Sequence, residues 1–240
     1  LGVGVKGGIA ILVHGLRLLM GARPNFVYVS LDTRNAHNEI DRNYCIEAYA
    51  EKLADAGAGD PDDRDYSPEL AALVPYIHAF LAPEARVWAG SRPLDNRSSK
   101  GGAQGAPLSS AEYCVTVHPA VRRLDGAVKG AGGVARFFSD NGFVAGLPED
   151  VWPAVEQFSA DLADRGLQFR LSASEFYSPD GNYGDRPVVC PIGVVHVALG
   201  VPLPVSDGGG LNVCNIPLGS NGYVRQFLDV KRDAVLSQIQ

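Results

Sequence analysis

Two aspartates stand where a carboxylate is expensive to place. Asp32 closes the apolar run NFVYVSLD, and Asp140 lies between two apolar runs in FFSDNGFVAG. A carboxylate at the end of a buried strand is costly unless something pairs with it. A divalent metal does that. Two such carboxylates on adjacent strands form the minimum cradle for a two-metal site, whose ions sit ~3.5–4 Å apart and activate a hydroxyl nucleophile. Either Asp alone could equally cap a helix or a turn. Asn, Asp and Gly tolerate positive φ, so DNG between hydrophobic segments is also a strong hairpin signal.

The elements around the two aspartates follow from pattern. Residues 9–20 read as a core helix. NFVYVSLD, rich in β-branched and aromatic residues, reads as a buried strand. Residues 35–57 read as one helix closed by Gly57. Ser67 and Pro68 cap a further helix running to about Leu81. ARVWAG is a candidate strand, and residues 91–106 read as a mobile, mildly basic loop. Ser109 and Glu112 have capping-box spacing ahead of a helix to about Leu124. The hairpin spans roughly Val134 to Ala145. Val151, Val155, Phe158 and Leu162 recur on one helical face. Short strands are expected near 167–171, 174–177 and 211–216, and a last helix from about Tyr223 to Gln240. The class is α+β, with an antiparallel hairpin at its centre.

Composition narrows the chemistry. The 240 residues can bury one substantial core or two small ones. The net charge of -6 weighs against a nucleic-acid binder, although a local basic groove can sit on an acidic body. Cys45, Cys114, Cys190 and Cys214 are widely spaced, with no CxxC, and read as buried free thiols. The opening LGVGVKGG has no initiator Met, as expected of a fragment or a processed chain. The uncharged run from Val188 to Val205 is broken by Pro191, Pro202 and Pro204, so short strands and turns are expected and no membrane span.

Other motifs carry less. Gly2, Gly4 and Gly7 spell G-x-G-x-x-G, but only Leu1 precedes them where a dinucleotide site needs a strand. Asp60, Asp62, Asp63 and Asp65 cluster in a Pro/Gly-rich connector and read as a solvated acidic loop. His14, His78, His118 and His196 lack metal-ligand spacing.

VYVSLDTRNAHNEIDR, GGAQGAPLSSAEYCVTVHP, FFSDNGF, GLQFRLSASEFYSP, GLNVCNIPLGSNGYVRQFL and LGVGVKGGIAILVHGLRLL together resemble reverse transcriptases of non-LTR retrotransposons. VYVSLDTRNAHNEIDR resembles their first catalytic motif, LDxxNAFNSxxR. GGAQGAPLSSAEYCVTVHP resembles GxxQGDPLSPxLFxLxxHP, and FFSDNGF falls where the family has its YADD hairpin. GLQFRLSASEFYSP resembles GLxLNxSKTExxSP, and GLNVCNIPLGSNGYVRQFL resembles GxxVLGxPIGSDxFVxxxL. LGVGVKGGIAILVHGLRLL resembles the end of the fingers motif. Order and spacing agree over nearly the whole chain.

The resemblance implies a polymerase palm, an antiparallel sheet backed by helices, with partial fingers and the start of a thumb. It assigns residues 1–25 to the fingers, 26–205 to the palm, and 206–240 to the palm–thumb junction and first thumb helix. The implied reaction is template-directed nucleotidyl transfer from a dNTP to a primer 3′-hydroxyl, with two Mg2+ or Mn2+ ions. RNA template and DNA primer are the implied partners, and nucleus or cytoplasm the implied location. Asp32 and Asp140 would be metal ligands, and Asn141 would stand at the second hairpin Asp. His37 would stand under the nucleotide sugar, and Gln104 and Gly105 near the incoming nucleotide and template.

The departures from the family pattern point to weakened or lost activity. Asn141 removes a carboxylate; unit charges ~4 Å apart at an effective dielectric of ~20 interact by roughly 4 kcal/mol, and a divalent ion doubles that. His37 replaces a flat apolar residue, Ala106 an Asp, Ala173 the Lys of SKTE, and Asn215 a Gly. The upstream fingers segment, with its basic residues for the triphosphate, is not in this sequence. Two rivals stay open. One is a catalytically dead remnant that at most binds nucleic acid, through the 91–106 loop and the C-terminal helix. The other is an unrelated α+β domain, if Asp32 and Asp140 are not adjacent.

Overall fold

The computed structural model describes residues 6–58, 72, 74–81, 85–102, 109–170, 174–184 and 209–238. The chain forms two compact units. The first is Leu1–Thr33, Val121–Ala160 and Phe169–Gln240; the second is Arg34–Ala120 and Asp161–Gln168.

The first unit is built on a four-stranded antiparallel sheet in the order β4-β5-β1-β6. Its strands are β1 (Val27–Asp32), β4 (Val134–Phe138), β5 (Asn141–Gly146) and β6 (Glu175–Tyr177). Every residue of β1 is buried, and the strand alternation explains why. On one face Phe26, Tyr28, Phe143 and Ala145 join Val13 and Leu16 of helix α1 (Gly8–Ala22). Leu211 and Val213 of β7 (Gly210–Val213) and Leu218 of β8 (Ile216–Gly219) complete that cluster. On the other face, helix α6 (Pro148–Ala163) lies against the sheet. Its Phe158 ring meets Phe137 edge-on at 5.4 Å, and its Trp152 ring meets Phe176 at the same distance. Val151, Val155, Phe158 and Leu162 are all buried, so the helical stripe expected from their spacing is a packed face.

Helix α1 keeps only part of the core role its apolar sequence suggests. Val13 and Leu16 are buried, while Ile11 and Leu18 stand exposed. Gly7, the last glycine of the opening motif, is its left-handed N-cap. Among the described residues no helix is long and apolar enough to cross a membrane. The final helix, α7 (Asn221–Leu236), opens with Ser220 accepting a hydrogen bond from the Tyr223 N–H. It ends four residues before Gln240, the expected terminus.

The second unit holds α2 (Ala36–Glu39), α3 (Arg42–Ala58), α4 (Val74–Leu81), the hairpin of β2 (Ala85–Ala89) and β3 (Arg92–Ser98), and the start of α5 (Ser109–Lys129). Its core joins Cys45, Ile46, Tyr49, Ile77 and Leu81. Burial pushes the Cys45 thiol up to about 11, as expected of an inert buried thiol. Cys114 and Cys214 form no disulfide either, but they are half-buried where buried thiols were expected, and Cys190 lies outside the described residues.

The structure corrects several sequence expectations. Residues 92–98 are not a loop but a strand paired with β2. Gly90, at φ +64, makes the turn with Ser91, a two-residue hairpin connection that the polar, proline-containing sequence disguises. The helix expected over 35–57 is two helices. Asn35 is left-handed, Ile40 is extended, and Asp41 restarts the chain by accepting the Asn43 N–H at 2.8 Å. Among the described residues 167–170 no strand forms; Phe169 makes an isolated bridge to Thr33. The 211–216 segment is a hairpin, with Cys214 (φ 51) and Asn215 (φ 66) at its turn. Asn215, which departs from the glycine of the resembled motif, therefore stands at a left-handed position that Asn tolerates. The helix expected to end near Leu124 continues to Lys129. The Ser67–Pro68 cap, the acidic cluster at 60–65 and the 188–205 run lie outside the described residues.

Candidate functional site

Asp32 and Asn141 are direct cross-strand partners in the β1–β5 ladder. Opposed residues of an antiparallel pair project to the same face, with Cβ atoms about 4.5–5.5 Å apart. Ser30 and Phe143 precede them on that face. The apolar cluster under α1 and β7–β8 covers the other end, leaving Asp32, Asp140 and Asn141 at its margin. Asp32 is buried, while Asp140 and Asn141 are half-buried.

The hairpin tip is placed differently from the DNG reading. Ser139 and Asp140 form the turn, with Ser139 at φ 56, while Asn141 and Gly142 belong to β5. Pairing decides this, because Asn141 is held by Phe138 on one side and Asp32 on the other. Gly142 is needed for space, since a Cβ there would lie 2.5 Å from the Phe137 ring. The Asn141 amide donates to Asp140 Oδ1 at 3.2 Å.

Sequence reading missed Arg170. Its Nε donates to Asp32 Oδ2 at 2.5 Å, and its backbone N–H donates to the Asp32 carbonyl at 2.8 Å. Ser174 locks the same corner. Its hydroxyl accepts from the Asp32 N–H at 3.3 Å and donates to the Arg170 carbonyl at 3.1 Å. The hydrogen bond and charge of Asp32, with a smaller contribution from Asp140, raise the Arg170 guanidinium above its ordinary value. The available signal was a single charged residue in LQFRL, at the Asn of the resembled GLxLNxSKTE pattern. Burial, with a smaller contribution from the Asp140 charge, raises the Cys214 thiol above its ordinary value.

The residues present do not fit two divalent ions. Two carboxylates, one amide and one guanidinium leave the cluster with a single net negative charge. No group of three or more His, Cys, Asp or Glu able to hold a metal occurs among the described residues.

The nucleotide-site residues expected from the resemblance belong to the second unit. His37 is half-buried; its Nδ1 lies 3.3 Å from the Ser109 carbonyl, and its ring meets Tyr113 edge-on at 5.6 Å. Gln104, Gly105 and Ala106 lie outside the described residues, as does Ala173. The glycines just before them are described. Gly101 donates to the Ile40 carbonyl and Gly102 to the His37 carbonyl, both at 2.8 Å.

Glu112 is not the capping-box partner its spacing suggests. It is 1% exposed, its Oε1 has no hydrogen-bond partner, and neither does Ser109 Oγ. Burial raises its carboxyl above the ordinary 4.5, against the pull of Arg42 and His37. A carboxyl raised on folding binds protons more readily when folded, so stability is lost above that raised value and regained as pH falls towards 4.5. Glu112→Gln should raise stability near pH 7 by roughly 1–2 kcal/mol, the scale of an unpaired buried polar group made neutral. Urea melts at neutral and mildly acid pH check this. An equal gain at both would show that charge is not the cause.

The C-terminal helix carries less free positive charge than its sequence suggests. Arg232 pairs with Asp229 at 2.9 Å and with Asp233 at 3.0 Å. Lys231 donates to Asn215 Oδ1 at 3.4 Å and lies over the Phe227 ring.

Helices and an antiparallel sheet, with carboxylates at the end of a central strand and at the neighbouring hairpin tip, are the arrangement the resemblance implies. The comparisons bear on the fold. A structure of apo telomerase from Candida tropicalis, truncated from its C-terminal domain, matches with a TM-score of 0.50 and 15% identity. It covers 78% of this chain and 38% of that one. A second structure of apo telomerase from Candida tropicalis matches with a TM-score of 0.50, 14% identity, and 78% and 35% coverage. This chain thus spans well under half the length of either. No family model and no curated protein matches. The likeness shows a distant reverse-transcriptase-like polymerase fold.

Proposed function

We propose that this chain is a reverse-transcriptase-like palm that engages a template–primer duplex, with nucleotidyl transfer weak in its present form. The observation that carries the reading is the pairing of Asp32 with Asn141, beside Asp140 at the tip. It puts the two retained carboxylates and the altered third position at one end of the sheet. The six sequence motifs support kinship to the enzymes of non-LTR retrotransposons. RNA template, DNA primer and dNTPs are the corresponding partners, and magnesium or manganese the corresponding cofactor. Asp32 and Asp140 would be the ligands, and transfer of a nucleotide to a 3′-hydroxyl the chemistry.

The test is primer extension on an RNA template by the wild type and by Asn141→Asp. Restoring one carboxylate a few ångströms from a divalent ion should raise extension by about tenfold or more. Robust extension by the wild type would remove the claim of weakness. No gain in the variant would favour the second reading, a remnant that only binds nucleic acid, which the Arg170–Asp32 pair also supports. Duplex binding that is weak and indifferent to salt would count against both.

A further inference from the structure

We propose that Arg170 is the resident cation of the Asp32 carboxylate, a guanidinium built into the place a divalent ion would need. The inference rests on reading Asp32 and Asp140 as the polymerase-type site.

Three observations carry it. First, the contact is anchored. The same residue that donates its guanidinium N–H to Asp32 Oδ2 also donates its backbone N–H to the Asp32 carbonyl. Ser174 ties the Arg170 carbonyl to the Asp32 N–H. The stem of the side chain therefore starts at the carboxylate it neutralises. Second, the guanidinium meets its carboxylate as a close ion pair, Nε to Oδ2 at 2.5 Å, at the strand end that faces Asn141. Third, the remaining position offers no compensation. Asn141 is neutral, and its amide nitrogen is turned onto Asp140 Oδ1, occupying an acceptor that an ion would use.

Asp32 is the more enclosed partner, with its side chain 11% exposed against 57% for Arg170. A buried carboxylate needs a counter-charge, and Arg170 supplies one without any ion. A divalent cation approaching Asp32 must displace the guanidinium or bear its repulsion. Even through water, a unit charge ~6 Å from a divalent ion changes its binding by about tenfold.

The experiment measures Mn2+ binding by the full chain, by electron paramagnetic resonance and calorimetry, with no substrate present. Arg170→Asn should bind Mn2+ at least about tenfold more tightly than the wild type. Arg170→Lys, which keeps the charge, should bind like the wild type. Adding Asp32→Asn to Arg170→Asn should abolish the gain. Equal binding by the wild type and Arg170→Asn would overturn the proposal, as would a gain in Arg170→Lys matching that of Arg170→Asn. A gain that survives loss of Asp32 would overturn it too, since the ion would then be held elsewhere. Because Arg170 is largely exposed, these variants are expected to fold, and circular dichroism checks that. Metal binding is read apart from catalysis. If Arg170→Asn with Asn141→Asp binds Mn2+ but extends no primer, the resident-cation proposal stands and the polymerase reading fails.

Discussion

Phe158→Ala lowers the stability of the sheet-bearing unit by roughly 3–5 kcal/mol, the range for truncating a buried phenylalanine. Phe158 is buried, with the Phe137 ring 5.4 Å away on β4 and the Phe169 ring 5.8 Å away. Truncation opens a cavity between α6 and the sheet. The cavity closes poorly because Phe137 is already seated against Gly142, where even a Cβ would clash. Folded domains have only about 5–15 kcal/mol of stability, so this is a large fraction. The loss reaches the site as well. Phe137 leads to the Ser139–Asp140 turn, and Phe169 precedes Arg170. Urea titration measures the loss, and Phe158→Leu should recover much of it. A loss below about 1 kcal/mol would show that the helix does not pack on the sheet as described.

Gly101→Ala destabilises the second unit by roughly 2–5 kcal/mol, combining left-handed backbone strain with overpacking against main chain. Gly101 sits at φ +61, and a Cβ there would lie 2.3 Å from the His37 carbonyl oxygen. Backbone cannot yield as a side-chain tip can. The segment would have to leave the α2–α3 junction, breaking the Gly101 N–H bond to Ile40 and the Arg42 Nε bond to the Gly101 carbonyl at 2.8 Å. His37 would lose the Gly102 N–H from its carbonyl. Thermal melting checks this, with Gly90→Ala as a comparison. Gly90 has similar left-handed strain (φ +64) but open space around it, so equal losses would rule out the steric part of the argument.

Some of this architecture was legible because its signals are local and periodic. β1 announced itself as a β-branched and aromatic run, and the α6 stripe by its 3.6-residue spacing. The β4–β5 hairpin was legible as two apolar runs around a polar tip. Its turn was misplaced because residue tolerance for positive φ favours Asn141–Gly142. Register with β1, more than a hundred residues away, instead makes Asn141 a strand residue. β3 was hidden because Arg92, Pro93, Asp95 and Asn96 are poor strand formers, and its pairing with β2 overrides that preference. The break between α2 and α3 was hidden because the stretch holds no Gly or Pro; Asp41 at an N-cap position was its local signal.

The candidate site divides in the same way. Asp32 and Asp140 stood out because a charge among apolar neighbours is unusual in any local window. Arg170 did not, because its meaning depends on a partner 138 positions away. Glu112 gave a false local signal. Its spacing from Ser109 fits a cap, and only packing reveals it as a buried, partly unpaired carboxyl.

The placement of β1 at the centre of a sheet whose other strands come late in the chain sets an order of events. During synthesis VYVSL is made well before β4 and β5, and β6 follows later still. Until then a largely apolar strand lacks its main ladder partner. Such non-local pairing slows folding and leaves unpaired edges open to aggregation. The residues of Arg34–Ala120, by contrast, are largely contiguous and can organise first. The corner where Arg170 meets Asp32 and Ser174 locks both can close only after β5 and α6 have been made. A nascent chain stalled before β5 would therefore leave β1 without its main ladder partner.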